Sequence, residues 1–463
     1  MLFPTVQFAL FFPVVLALSW ALMSRPRLWK PAIVVASYVF YASASWRFCL
    51  LLAGITVVNQ VAARAVHRTA DERRRAVIVA VAVAIDLGVL GVFKYYGFFV
   101  ESFGDALGEL GLGMPLPLLT IALPVGVSFF TFQAISYVVD VKRGVAQPSG
   151  TLDFAVYLSF FPHLVAGPIV RAREFLPQLA APRDPTKVAV GSGLALIGLG
   201  LVKKVLIADL LAREIVDPVF AVPELYAAPD AWLAAYAYTA QIYCDFSGYT
   251  DIAIGLALLL GFVFPQNFRS PYRATGFRDF WRRWHMTLSR FLRDFLYIPL
   301  GGNRRGRLIT YRNLMLTMVL GGLWHGAAWT FVLWGAFHGA GLVAEHAIGG
   351  RISAPRWLKW LVMFHLVVFS WILFRSQSLD LAGAFFRQLT VPGAATLWTL
   401  PAVVAIAGVV GLQLLPADAV ERMQVRLEKR PPLALAGALG LVVIVCGATV
   451  SGQGVAPFIY FRF

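Results

Sequence analysis

An all-α, polytopic integral membrane fold is what this sequence predicts, as a single domain over 1–463. Three observations predict it. Apolar residues fill 59% of 463 positions and charged residues only 14%, far from the balance of a soluble domain. Hydrophobic runs of about 20 residues recur along the chain, each long enough to cross ~30 Å of hydrocarbon as a helix. Lys and Arg gather in alternate short loops, as they do on the cytoplasmic side of membrane proteins. That distribution accounts for the net charge of +16 by topology, with membrane lipid as the surroundings and nucleic acid excluded as a partner. Roughly 11–13 membrane segments are expected, some re-entrant, grouped as N-terminal spans (1–145), a core (146–350) and C-terminal spans (351–463). Cys49, Cys244 and Cys446 are isolated and show neither metal spacing nor a disulfide framework.

The first apolar run, 3–22, lacks a basic leader and a small-residue cleavage site, so it reads as a retained span. Arg25, Arg27 and Lys30 place the loop after it inside. Spans at about 32–46 and 49–64 form a hairpin that returns to the basic loop Arg64, Arg68 and Arg73 to Arg75. A fourth span, about 76–95, leads into a stretch without Lys or Arg from Tyr95 to Val141, which carries Glu101, Asp105 and Glu109 and reads as an outside loop. The fifth span, about 119–140, holds Pro124 and Gly126, tolerable at membrane depth only against protein or a water-filled cavity. Two prolines and basic flanks at both ends make 154–169, with His163, a re-entrant hairpin.

Lys203 and Lys204 fall in the middle of the apolar run 188–212. Either that helix lines a cavity or the lysines reach the cytoplasmic interface. The next helix, about 231–262, carries Gln241, Tyr243, Asp245, Ser247 and Asp251, a polar content that requires a protein interior. Eleven arginines against two acids then mark 268–312 as cytoplasmic. A hairpin or broken helix pair follows at about 313–346 with His325 at membrane depth, and three more spans at about 358–374, 397–415 and 432–450 complete the set.

On a helical wheel, 279–296 forms one amphipathic helix. Asp279, Arg282, Arg283, Met286, Arg290, Arg293 and Asp294 share one face, and Phe280, Trp281, Trp284, Leu288, Phe291, Leu292 and Phe295 share the other. The pattern suits a helix lying in the membrane interface with its aromatic face in the acyl boundary. His285 sits at the border, where an incidental histidine on an anchor helix fits as well as a functional one. His325 lies in an apolar span between Trp324 and Gly326, one turn after Gly321 and Gly322. A neutral imidazole there, held at low dielectric by Trp324 and Trp329, is able to take a proton from an attacking hydroxyl. A histidine hydrogen-bonded across helices meets the same constraints, and chemistry alone does not separate the two. The chain has no phosphate-binding glycine loop, no nucleophile elbow and no zinc-helix motif.

Eight stretches, in order, then identify a family. They are Phe93-Lys-Tyr-Tyr96, Leu123-Pro-Val-Gly-Val-Ser-Phe-Phe-Thr-Phe-Gln133, Phe161-Pro-His-Leu-Val-Ala-Gly-Pro168 and Tyr243-Cys-Asp-Phe-Ser-Gly-Tyr249. The others are Asp279-Phe-Trp-Arg-Arg-Trp-His285, Tyr297-Ile-Pro-Leu-Gly-Gly-Asn303, Leu323-Trp-His-Gly326 and Phe458-Ile-Tyr-Phe461. Over almost its whole length the chain resembles the membrane-bound O-acyltransferase family, in its bacterial alginate-acetylating branch. Phe461-Arg-Phe463 departs from that pattern, where Gln is common in the middle position, without touching a catalytic assignment.

The resemblance implies a helical funnel in a bacterial cytoplasmic membrane and makes His325 and His285 the catalytic pair. His325 would be the general base or acceptor-binding group, and His285 would position the donor or stabilise the oxyanion. No bound cofactor or metal is implied; the donor is a cytoplasmic thioester, acetyl-CoA or an acyl-carrier protein. Arg282, Arg283, Arg304, Arg305 and Arg307 become candidates for its phosphates or acidic surface, although positive-inside topology alone also places arginines here. Trp324, Asp245 and Gln241 become candidate substrate contacts. The implied acceptor is an extracytoplasmic polysaccharide, reached with an extracytoplasmic SGNH-type transferase as partner. D-alanyl or other acyl transfer to a cell-wall polymer is the neighbouring alternative. A transporter with broken helices and a non-catalytic scaffold are the alternatives of another class.

Overall fold

The computed structural model describes residues 1–112, 122–165, 167–349, 353–416 and 429–449, with 422, 425 and 426. The start of the expected fifth span and the motif Phe458-Ile-Tyr-Phe461 lie outside them. Among the described residues the regular structure is helical throughout. Five helical stretches are long and apolar enough to cross a membrane: Trp46–Arg68, Glu72–Glu109, Ala228–Leu259, Arg356–Arg375 and Pro432–Thr449. Val6–Leu22 and Leu400–Leu414 are shorter apolar helices. The all-α class read from the runs is borne out. The chain divides into two units, 1–189 with 256–264, and 190–255 with 265–463.

The first unit opens with α1 (Val6–Leu22), α2 (Pro26–Ala42) and α3 (Trp46–Arg68). α4 (Glu72–Leu90) runs through a π-helical turn, Gly91–Tyr95, into α5 (Tyr96–Glu109). The outside loop expected after Tyr95 is therefore corrected: Glu101, Asp105 and Glu109 recur every four residues and share one helix face. α6 (Val127–Lys142) starts after Pro124 and Gly126, so those residues precede the helix instead of interrupting it. The segment 154–169 is not one crossing helix but α7 (Thr151–Ser159) and α8 (Phe161–Leu164), with Phe154 and the residues from Val156 to Leu164 buried and Phe160 between the two. α9 (Ala172–Phe175) follows. His163 lies in that core and donates from Nε2 to the Tyr157 carbonyl at 2.7 Å, a structural use. Phe175 stacks on Phe262 at 4.8 Å, and the Arg183 guanidinium lies 3.8 Å over Trp29.

The second unit begins with α10 (Val190–Leu201), a π-helical stretch Val202–Ala208, α11 (Asp209–Leu211), a further π-helical turn and α12 (Asp217–Ala221). α13 (Ala228–Leu259) follows; 78% of its most apolar window is buried in protein, which is why its polar residues are tolerated. Lys203 and Lys204 are both held by carboxylates. Lys203 pairs with Asp251 at 2.7 Å, and Lys204 with Asp209 at 2.7 Å and Asp245 at 2.5 Å. The remaining helices are α14 (Phe277–Trp281), α15 (Met286–Leu292), α16 (Arg307–His325), α17 (Trp329–Ile348), α18 (Arg356–Arg375), α19 (Leu379–Gln388), α20 (Leu400–Leu414) and α21 (Pro432–Thr449).

Candidate active site

The single interfacial helix expected over 279–296 is broken. α14 ends at Trp281, α15 begins at Met286, and a π-helical turn spans Arg293–Tyr297. At the break His285 takes φ 42 and ψ 53, the left-handed region, a strain of about 1–3 kcal/mol that persists only where surroundings over-determine it. They do so here through the preceding loop. The Met286 N–H donates to the Asn267 carbonyl at 2.9 Å and the Arg269 N–H to the Arg283 carbonyl at 2.9 Å. The side-chain Oδ1 of Asn267 faces the Thr287 N–H (3.2 Å), Thr287 Oγ1 (2.9 Å) and His285 Nδ1 (3.1 Å). These partners replace the intrahelical bonds that the wheel assumes.

The aromatic face of this segment is also relocated. Phe280 and Trp284 stack at 5.8 Å, and Trp284 lies 4.9 Å from Trp371. Both are essentially without exposure, so they seal against protein and not against acyl chains. His285, at the border of the wheel, is fully buried.

The broken helix pair is present as expected. α16 terminates at His325, Gly326 and Ala328 take extended backbone, and α17 turns back at Trp329. Gly322 permits this close return: a Cβ there would lie 2.2 Å from the Phe331 carbonyl oxygen. The turn sets His325, 2% exposed, among Trp324 (5.1 Å), Trp334 (5.1 Å) and Phe374 (5.3 Å). The His285 ring is 6.4 Å from the His325 ring, with Phe246 at 4.6 Å and Trp324 at 6.0 Å. Two buried imidazoles thus share one aromatic enclosure. His285 Nε2 is buried with no hydrogen-bond partner among the described residues, a costly state unless something else fills it.

Beside this enclosure is a cavity of about 980 Å³ lined by Arg278, Arg282, Arg290, Arg293, Arg304, Arg305 and His346, with Trp281, Met286, Leu292 and Met318 as its apolar part. Met286 directly follows His285, and Trp281 lies 5.8 Å from Trp334, the ring beside His325. Arg304 and Arg305 are held by a turn in which Gly301 and Gly302 take φ 109 and 55, values that favour glycine. Asn313 Nδ2 ties it down by donating to the carbonyls of Leu300 (3.2 Å) and Gly302 (3.0 Å). Six guanidinium groups around one hollow suit a ligand carrying several negative charges.

The structure brings Arg282, Arg304 and Arg305 together in this wall. Arg283 pairs instead with Asp279 at 2.7 Å, and Arg307 begins α16 outside the lining. Trp324 touches both histidines. Asp245 is engaged by Lys204, and Gln241 is buried on α13. Sequence reasoning missed Arg278, Arg290, Arg293 and His346 as cavity residues, and Asn267 altogether. Arg290 and Arg293 were readable from the basic face of the wheel; nothing in the local pattern pointed to Asn267. Among the described residues no three His, Cys, Asp or Glu side chains converge as a metal site.

Residues 127–381 match the model of the membrane-bound O-acyltransferase family. The probable alginate O-acetylase AlgI of Pseudomonas putida is 40% identical, with 98% of each chain covered. Its Pseudomonas aeruginosa counterpart is 45% identical over 82% of this chain and 73% of its own. A peptidoglycan O-acetyltransferase of Helicobacter pylori is 37% identical over 77% and 72%. The matched residues contain the buried histidine pair, the hairpin turn and the arginine cavity, and the chain belongs to the membrane-bound O-acyltransferase family.

Proposed function

We propose that this O-acyltransferase moves an acetyl group from a cytoplasmic thioester toward an extracytoplasmic polysaccharide of the alginate kind. The observation that carries the reading is the paired, buried His285 and His325 beside an arginine-lined cavity. The relatives, whose names specify alginate and peptidoglycan O-acetylation, support a polysaccharide acceptor. They favour it over a D-alanyl donor, and a family of acyltransferases disfavours the transporter and scaffold readings.

In this reading the arginines hold the phosphates of acetyl-CoA or the acidic surface of a carrier protein, and the acyl end reaches past Trp281 and Met286 to the histidines. His325 takes the proton of the attacking hydroxyl, general-base help of about 10²–10⁴-fold. The oxygen adds to the thioester carbon, the C–S bond breaks, and the departing sulfur recovers the proton from the His325 imidazolium. The aromatic enclosure keeps water from competing as the acceptor. The inner membrane is the site of action, and an SGNH-type transferase on the far side completes delivery to the polymer.

The test uses purified protein in detergent with radiolabelled acetyl-CoA and a soluble glycan acceptor. Wild type is expected to consume the thioester, and to label the glycan once the SGNH-type partner is added, and the His325→Ala variant to do neither while folding normally. An untouched thioester in the wild-type reaction returns the chain to the transport or scaffold reading.

A further inference from the structure

We infer that Asn267 is a positioning residue that fixes the tautomer of His285 and thereby makes its Nε2 a hydrogen-bond acceptor. The inference rests on the proposed reading of the histidine pair as the reaction centre. It begins from a backbone group whose polarity is not in question. The Thr287 N–H can only donate, and it points at Asn267 Oδ1 at 3.2 Å, so that position of the amide is its carbonyl oxygen. His285 Nδ1 meets the same oxygen at 3.1 Å. Two acceptors do not bond, so Nδ1 carries the proton. In a neutral imidazole the other nitrogen, Nε2, then holds a bare lone pair. Nε2 is the atom that is buried with no partner among the described residues.

The consequence decides against one of the two roles that the family resemblance leaves open for His285, stabilising the oxyanion. A bare Nε2 accepts a hydrogen bond from a neighbouring hydroxyl of the acceptor and so orients the attacking hydroxyl, whose own proton goes to His325. It has no proton with which to stabilise an oxyanion. Asn267 is itself buried, at 1% exposure, and its carbonyl holds Met286 at the left-handed break, so amide, histidine and strained backbone are fixed as one piece. The charged and titratable groups around His285 leave this assignment intact. His325 faces it at 6.4 Å, Arg283 is tied to Asp279, and Asp245, next to Phe246 on α13, is tied to Lys204.

Two measurements test it. In ¹⁵N-histidine spectra of the wild-type protein in detergent, with His285 assigned through the His285→Gln variant, the neutral ring is expected to be protonated at Nδ1 and bare at Nε2. The opposite tautomer overturns the inference whether or not any Asn267 variant folds. In the acetyl-transfer assay Asn267→Ala is expected to lower kcat by about tenfold or more with little change in the KM for donor. Asn267→Asp keeps an acceptor oxygen and is expected to recover much of that rate. Its carboxylate also stabilises the imidazolium, which raises the His285 pKa and moves the acidic limb of the kcat profile to higher pH. An Asn267→Ala enzyme with wild-type kcat and pH profile overturns the inference when His285→Ala is impaired. A fully active His285→Ala enzyme instead removes the reading of the site on which the inference stands.

Discussion

The second unit buries polar groups in two different ways. Between α13 and the helices before it, Lys203, Lys204, Asp209, Asp245 and Asp251 form a ladder in which each lysine meets a carboxylate within 2.7 Å. Around the α16–α17 turn, two imidazoles are buried among rings, and His285 keeps a nitrogen with no partner among the described residues. The ladder satisfies full charges where they would otherwise be prohibitive; the enclosure leaves a weakly basic, neutral group available. A closed network serves the fold, whereas an open one needs a ligand to close it.

Removing the proposed general base should produce the largest loss of activity. His325→Ala is expected to cut acyl transfer by about 10²–10⁴-fold while the thermal midpoint in detergent stays near that of wild type. A ring deleted from an aromatic enclosure leaves a cavity but no stranded charge. Comparable loss of rate and of stability would show that His325 belongs with the ladder as a structural group.

Lys204→Met asks the converse question. It leaves Asp209 and Asp245 facing a thioether where an ammonium stood, and breaking a buried pair in this way costs about 3–5 kcal/mol. The melting transition should fall sharply, and activity per folded molecule should not. Adding Asp245→Leu should restore part of the stability, because replacing both partners is far less costly than stranding one. If Lys204→Met stopped acyl transfer in a protein that melts normally, the ladder would have to be redrawn as part of the reaction path.

Much of the contrast was legible beforehand, and what was not has a physical cause. Long apolar runs and alternating charge gave the helices, and the family resemblance, more than the local residues, singled out His325 among the histidines. The wheel failed over 279–296 because it scores side chains alone, whereas the break there is decided by backbone bonds to Asn267 and Arg269, 14 to 19 residues earlier. The same blindness left His285 on a border when it lies at the centre. Lys203 and Lys204 were ambiguous because their partners, at 41 and 48 residues' separation on α13, are set by helix packing. Charge counting misread the region after Tyr95 since a lack of basic residues says which side a segment faces, not that the helix has ended.

Close helix contact gives a finer comparison, since both regions depend on it. Gly248 on α13 would place a Cβ 2.8 Å from the Gly200 carbonyl, and Gly322 one 2.2 Å from that of Phe331. Alanine at either position should cost about 1–3 kcal/mol through overpacking. Only Gly322→Ala should also lower kcat per folded molecule, because the displaced turn carries His325. Equal kinetic effects from the two alanines would mean that the reaction centre tolerates no general loosening of the unit, and the local argument would fail.

The smallest effect should come from the cavity, where no group is expected to change its chemistry during the reaction. Arg305 packs along Gly301, a Cβ on which would lie 3.2 Å from the Arg305 Cδ, and belongs to the cavity wall beside Arg304. A contact from it to a donor phosphate forms on binding and persists unchanged through acyl transfer, which is uniform binding. Arg305→Ala should therefore raise the KM for acetyl-CoA by about tenfold, the worth of one charge-assisted hydrogen bond of about 1.5 kcal/mol, and leave kcat alone. Because the partner is an anion at a solvent-open wall, the gap between variant and wild type should narrow as salt rises. Loss of kcat without a change in KM would place Arg305 in the transition state, and the division between a binding cavity and a reacting enclosure would then be wrong.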